Sequence, residues 1–304
     1  MNFKPIGPLD FPDLKSFVQN QQYRLCFYSL PSILTWSNEF YQHYGAIDSD
    51  TLFISVEYPK QPEKRYLLLP LSPVKDFPPE ALRDLAVTLG FEKFSYVSEE
   101  YLAQYGRNQI KPFFNICEQK GFEDYIYLTE DLLELKGNKF SKKRNLIKQF
   151  QREYVDKNQV RVEPITPSIT GECLEFMREW CREINLDMDK DEELICEKEA
   201  ILKNIEHIGL LETPGMLLRV NGELCAFAIS THLTDDMAVL PYEKAYAKIK
   251  GLYQYFDNLC AKELFKGYKY INKESDMNVP GIAKAKISYH PILRVKSYEL
   301  QIRK

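Results

Sequence analysis

Three stretches of this 304-residue chain combine residue types and spacings that can do chemistry. The richest is Tyr270-Ile271-Asn272-Lys273-Glu274-Ser275-Asp276-Met277-Asn278-Val279-Pro280-Gly281-Ile282-Ala283-Lys284-Ala285-Lys286-Ile287-Ser288-Tyr289-His290-Pro291. A strand run delivers Asn272, Glu274 and Asp276 to its end, and a Pro-Gly turn then opens a short helix bearing Lys284 and Lys286. Glu274 and Asp276 can either meet a ligand's ammonium there or pair with Lys284 and Lys286 to fix the loop. The second stretch is Tyr242-Glu243-Lys244-Ala245-Tyr246-Ala247-Lys248-Ile249-Lys250-Gly251-Leu252-Tyr253, read as a strand, a short glycine loop and the start of a helix. Unpaired amides at a helix start, beside Lys248 and Lys250, make a phosphate site.

The third stretch is a basic run. From Lys136 to Arg152 there are seven basic residues, among them Lys139, Lys142, Lys143 and Arg144, and no acidic one. Phe140, Ile147, Phe150 and Tyr154 recur at helical spacing, so one face can pack while the other stays cationic. Like charges along an exposed helix repel, and a solvated helix ordinarily mixes signs. The run therefore points to an anionic partner: a phosphate, tRNA or a lipid headgroup.

The rest of the chain bounds these readings. Its net charge of −4 argues against wholesale coating of nucleic acid but leaves room for a local basic patch. Seven cysteines without a Cys-x-x-Cys pair, mostly in apolar runs, read as reduced core thiols, and the expected compartment is the cytoplasm. No uninterrupted apolar stretch reaches the length of a membrane span. Asp187-x-Asp189-x-Asp191 has the spacing of a calcium loop, but Glu192 stands where glycine is needed and Lys198 where the bidentate glutamate should be. The four histidines are scattered, so no metal centre is expected.

To place the three stretches, the chain must supply strands and helices in alternation, and it does. Strands are expected near 51–57, 65–71 and 94–97, with helices over 11–20 and 80–89. A second series follows: a helix over 170–183, a hairpin of 216–220 and 223–230 turning on Asn221-Gly222, a strand over 238–243, a helix over 251–265 and a strand over 268–272. Both series run strands, long helix, strand, which suggests two copies of one fold. Phe94-Ser95-Tyr96-Val97-Ser98-Glu99-Glu100 echoes Tyr268-Lys269-Tyr270-Ile271-Asn272-Lys273-Glu274. The expected organisation is an N-terminal domain over 1–135, a basic linking helix over 136–158, and a C-terminal domain over 159–304 that carries the site.

Asn272-x-Glu274-x-Asp276, Pro280-Gly281 and Lys284-x-Lys286-x-Ser288-Tyr289 are the best markers of a family resemblance. With Lys139 to Asn145 and Glu243-Lys244-Ala245, they make the chain resemble, over nearly its whole length, bacterial two-domain proteins similar to the C-terminal domain of phosphatidylglycerol lysyltransferase. The resemblance implies an α/β fold of two tandem GNAT-like domains, each a mixed sheet flanked by helices, related to the Fem peptidyltransferases. It implies an acyl or aminoacyl transferase acting on an amine or hydroxyl, the acceptor being a small molecule or a peptide amine. The donor implied is acyl-CoA or aminoacyl-tRNA, with a non-catalytic module for an anionic ligand as the rival. In GNAT enzymes the turn matching Lys248, Lys250, Gly251, Leu252 and Tyr253 holds the pyrophosphate of coenzyme A; here Tyr253 stands where a small residue is usual. On that pattern Glu243 is the expected base, Tyr289 the acid, and Asn272 and Asp276 the rim of the pocket, with Glu274, Lys284 and Lys286 binding substrate.

Overall fold

The computed structural model describes residues 1–188 and 190–303; Asp189, the middle of the Asp187-x-Asp189-x-Asp191 spacing, lies outside them. The first series of elements is β1 (Lys4–Pro5), α1 (Phe11–Leu14), α2 (Leu30–Thr35), β2 (Gln42–Asp48), β3 (Thr51–Glu57), β4 (Tyr66–Leu67), α3 (Pro79–Leu89), β5 (Lys93–Ser98), α4 (Glu99–Tyr105), α5 (Arg107–Ile110), β6 (Phe114–Glu118), β7 (Asp124–Leu128) and α6 (Thr129–Glu134). Helix α7 (Ser141–Phe150) follows and ends in a wide π turn over Gln151–Val155. The second series is β8 (Val160–Pro164), α8 (Thr170–Glu183), α9 (Glu192–Glu206), β9 (Gly215–Val220), β10 (Glu223–Thr234), β11 (Met237–Ala245), α10 (Leu252–Glu263), β12 (Tyr270–Asn272), α11 (Pro280–Ile287), β13 (Leu293–Val295) and β14 (Ser297–Ile302).

Local chemistry sets many of these boundaries. Pro79 starts α3 where a missing N–H costs nothing, and Gly90, at φ +71°, ends it. The β9–β10 hairpin turns on Asn221 and Gly222, both at positive φ, as a tight type I′ turn requires. The expected helix over 11–20 is interrupted: α1 passes into a 3-10 turn over Lys15–Val18. The expected strand over 65–71 is only two residues long, although Leu68 and Leu71 still bond to Ile54 and Leu52 of β3.

Two seven-stranded sheets result, in the orders β1-β2-β3-β4-β5-β14-β6 and β8-β9-β10-β11-β12-β7-β13. Position by position they are the same sheet. In each, the fourth and fifth strands are the parallel pair, β4 with β5 and β11 with β12, and the other pairings are antiparallel. The sixth position is exchanged. Strand β7 leaves the first series to lie between β12 and β13, and β14 returns from the second to lie between β5 and β6. Each exchanged strand is buried in its host core: Tyr298 and Leu300 join the first apolar cluster, Tyr125 and Tyr127 the second. The fold is therefore two tandem GNAT-like domains, each completed by the other's last strand.

Candidate active site

Strands β11 and β12 pair from Met237 opposite Tyr270 to Val239 opposite Asn272, and then separate. Strand β11 continues to Ala245, while the chain past β12 turns at Glu274, which sits at φ +56°. A left-handed backbone at a glutamate is uncommon and persists only where its surroundings hold it. Here the surroundings are explicit: Lys286 of α11 donates its ammonium to the carbonyls of Lys273, Glu274 (3.1 Å) and Ser275 (2.6 Å). The Tyr125 amide also donates to the Glu274 carbonyl, at 3.2 Å.

Three charged side chains fill the opening between the strands. Glu243 comes from the end of β11, Lys273 from the residue after β12, and Asp257 from the buried face of α10. The Lys273 ammonium contacts an Asp257 oxygen and lies 3.6 Å from Glu243 Oε2. Burial works against its charge, but Asp257 and Glu243 outweigh it and raise its pKa. The other Glu243 oxygen, Oε1, is buried without a hydrogen-bond partner. Burial, with Asp257 adding, outweighs Lys273 and pushes the Glu243 carboxyl up to about 7. That is the region in which a carboxylate serves as a general base at neutral pH.

Tyr289 closes this cluster on one side. Its ring lies 5.3 Å from the Lys273 ammonium, and burial, then Asp257 and Glu243, hold its hydroxyl protonated far above the usual range. The Lys143 ammonium also lies against this ring, 3.7 Å from its centroid and 2.7 Å from Ser288 Oγ. Burial lowers the pKa of Lys143. Glu274 is likewise pushed up to about 8 by burial, against the pull of Lys286. Lys244, 4.3 Å over Trp180, pairs with Glu197 at 2.8 Å, and both charges act on Glu274.

The other expected site residues are distributed differently. Asn272 is fully buried and spent on the fold: its amide donates to the Arg24 carbonyl (2.8 Å) and to Asp124 Oδ2 (2.7 Å). Asp276 accepts from the Tyr125 hydroxyl at 2.5 Å and from the Asn278 amide at 2.9 Å, which fixes the turn into α11. Lys284 is exposed. The basic helix does not present one continuous cationic surface. Lys139 pairs with Asp131 at 3.0 Å, Arg144 reaches the carbonyls of Leu135 (2.5 Å) and Gly137 (2.7 Å), and Lys143 turns inward; Lys142 is exposed. Its apolar face packs as expected, with Phe140 and Phe150 fully buried.

The glycine loop is crowded. A Cβ on Gly251, at φ +84°, would stand 2.3 Å from the Leu146 carbonyl, so α7 crosses α10 at this residue and the glycine is what lets the helices meet. Leu252 is buried, and the Tyr253 hydroxyl accepts from Trp180 Nε1 at 3.3 Å. The amides of Ala247 and Lys248 donate to the carboxylate of Glu183, at 3.2 and 2.5 Å. Lys250 is exposed.

The family model for the phosphatidylglycerol lysyltransferase C-terminal region matches residues 73–300. The chain belongs to this family. Solved structures match the chain over nearly its whole length. A conserved protein of unknown function from Bacteroides thetaiotaomicron is 29% identical, with all of both chains covered and a TM-score of 0.87. The C-terminal DUF2156 domain of a putative lysylphosphatidylglycerol synthetase from Agrobacterium fabrum is 14% identical, over 96% of this chain and 91% of that one, with a TM-score of 0.62. A tandem GNAT protein from the clavulanic acid biosynthesis pathway is 9% identical over 99% and 98% of the two chains, with a TM-score of 0.45. No curated protein matches the chain. Family and fold are those of a GNAT-like transferase. No helix among the described residues is long and apolar enough to cross a membrane, and none of their His, Cys, Asp and Glu side chains group as metal ligands.

Sequence reasoning missed Asp257 and gave Lys273 no role. The signal for Asp257 was available: it shares the buried stripe of α10 with Leu252, Phe256, Cys260 and Ala261, where a lone carboxylate needs a partner.

Proposed function

We propose that this protein transfers an aminoacyl group from the ester of an aminoacyl-tRNA to an amine or hydroxyl acceptor, using Glu243 as general base. The observation that carries the reading is the buried, unpartnered Oε1 of Glu243, on a carboxyl pushed up to about 7, where β11 and β12 part. In its ionised form Glu243 takes the proton of the attacking amine or hydroxyl as that atom bonds to the ester carbonyl carbon. The ammonium of Lys273 stands beside Glu243 and favours negative charge developing on the carbonyl oxygen. As the ester C–O bond breaks, the ribose oxygen takes a proton from Tyr289, whose hydroxyl the site keeps protonated. The proton held by Glu243 then restores Tyr289, and the site returns to its starting state.

Lys142 and Lys148, exposed on α7, offer charge for a polynucleotide donor. The acceptor side is bordered by α11 and its flanks, where Met277, Val279, Ile282 and Ile287 are exposed. That border suits an amphiphilic acceptor, and the family's name carries one in phosphatidylglycerol.

The test is turnover with aminoacyl-tRNA and either phosphatidylglycerol vesicles or soluble amines. Glu243→Gln should lower turnover about 100-fold or more while tRNA affinity holds. The wild-type rate should climb as pH rises through about 7, because only the ionised carboxylate accepts a proton. Turnover unchanged in Glu243→Gln would rule the assignment out.

A further inference from the structure

Glu183 is the last residue of α8, an unfavourable place for a negative charge, since the helix dipole is negative there. Its carboxylate is held nonetheless. One oxygen accepts from the Ala247 amide at 3.2 Å and the other from the Lys248 amide at 2.5 Å, two consecutive N–H groups of the loop between β11 and α10. Consecutive amides converging on two oxygens of one anionic group form the type of cradle that elsewhere receives phosphate. Beside it, Lys248 lies 4.1 Å over the Tyr246 ring, and Lys250 is exposed. At the start of α10, Leu146 of α7 packs against Gly251 and the Tyr253 hydroxyl bonds to Trp180. The amide pair of residues 247 and 248 lies on two exposed residues within reach of an incoming anion, and the protein fills it with its own anion.

We infer that Glu183 is a specificity-determining residue: it occupies the amide pair that would seat a diphosphate, and so bars diphosphate-linked acyl donors such as acyl-CoA. This rests on the transferase reading of the neighbouring site. A diphosphate must displace a bidentate carboxylate and then sit beside its charge. Removing one like charge a few ångströms away, in a half-exposed setting, is worth on the order of 1 kcal/mol or more, about tenfold in affinity.

Calorimetric titration of the full chain with inorganic pyrophosphate, and then with coenzyme A, tests this. Glu183→Ala should bind pyrophosphate about tenfold or more tightly than wild type. Glu183→Gln, which keeps an acceptor oxygen but loses the charge, should gain less. Adding Lys248→Ala to Glu183→Ala should reduce the gain. Pyrophosphate affinity equal in wild type and both variants overturns the inference, as does tight binding of coenzyme A by wild type. If Glu183→Ala does not fold, the glutamine variant decides alone, by gaining affinity or not. The titration needs no turnover, so its failure is distinct from that of the base assignment, which shows in the rate of Glu243→Gln.

Discussion

The first sheet opens at the same place as the second, between β4 and β5, yet there the gap is closed by one hydroxyl. Tyr28, fully buried, donates to the Tyr96 carbonyl of β5 at 3.0 Å and accepts from the Leu69 amide just past β4 at 3.4 Å. Counting from the last parallel pairs, Leu67 with Phe94 and Val239 with Asn272, the two halves correspond residue by residue. Tyr96 and Glu274 each stand two residues on, at φ +55° and +56°. Ser95 takes the place of Lys273, and Leu71 that of Glu243. One backbone, with one unusual turn, thus supports a neutral, hydrogen-bonded plug in the first half and a buried ionic cluster in the second. Buried charges contribute little to stability compared with apolar packing. Their presence in one copy of the opening and absence from the other sets apart the copy to which we assign the proposed transfer.

The comparison can be broken by mutation. Lys273→Met should produce the largest effect, destabilising the protein by about 3–5 kcal/mol, because Asp257 and Glu243 would remain buried without their cation. Chemical denaturation measures this, and a loss below about 1 kcal/mol would mean that the cluster is wetter than its burial implies. Tyr28→Phe comes next, at about 1–3 kcal/mol, since it strands a buried amide and a carbonyl while leaving turnover unchanged. A fall in turnover as large as that of Glu243→Gln would show that both openings take part in catalysis.

The smallest effect is on pH dependence. In the fold Glu243 holds its proton up to about 7, whereas a free carboxyl releases it near 4.5. Between those values the folded state binds more protons than the unfolded one. Its contribution to stability is therefore full below 4.5 and declines as pH rises towards 7. Melting temperatures of wild type and Glu243→Gln should diverge over that window, with wild type losing ground as pH rises. Parallel curves would place Glu243 in contact with solvent.

Much of this architecture was legible in the sequence because it is written in local signals. Pro79 and Gly90 bracket α3, Asn221-Gly222 makes its hairpin, and the apolar rows of α7 and α10 find their cores. The echo between the halves was legible as well, but its register was not. The resemblance of 94–100 to 268–274 sets Phe94 beside Tyr268, whereas the strand pairing sets it beside Asn272, four residues on. Similar residue types recur along any half-buried strand, and only hydrogen bonding fixes which of them are equivalent. The site was half legible. Glu243 and Tyr289 stood out by type and position, and they do flank one cluster with Lys273 and Asp257. Asn272 and Asp276, the same kind of residue in the same stretch, went to capping the fold, because short polar side chains beside a turn bond readily to nearby backbone.

The exchanged strands set an order of events during synthesis. Strand β14 lies between β5 and β6, although about two hundred residues of chain separate it from either. When the ribosome has finished the first half, that half has β7 to give away and an empty slot where β14 belongs. The facing edges of β5 and β6 stay unpaired until residues 297–302 emerge, and an unpaired strand edge is a template for the wrong partner. The nascent chain thus carries an open seam for most of its own translation, and its two domains become complete together. Expression at low temperature, or with a chaperone able to shield strand edges, should raise the yield of soluble protein, whereas a chain cut before residue 297 should leave the first domain open.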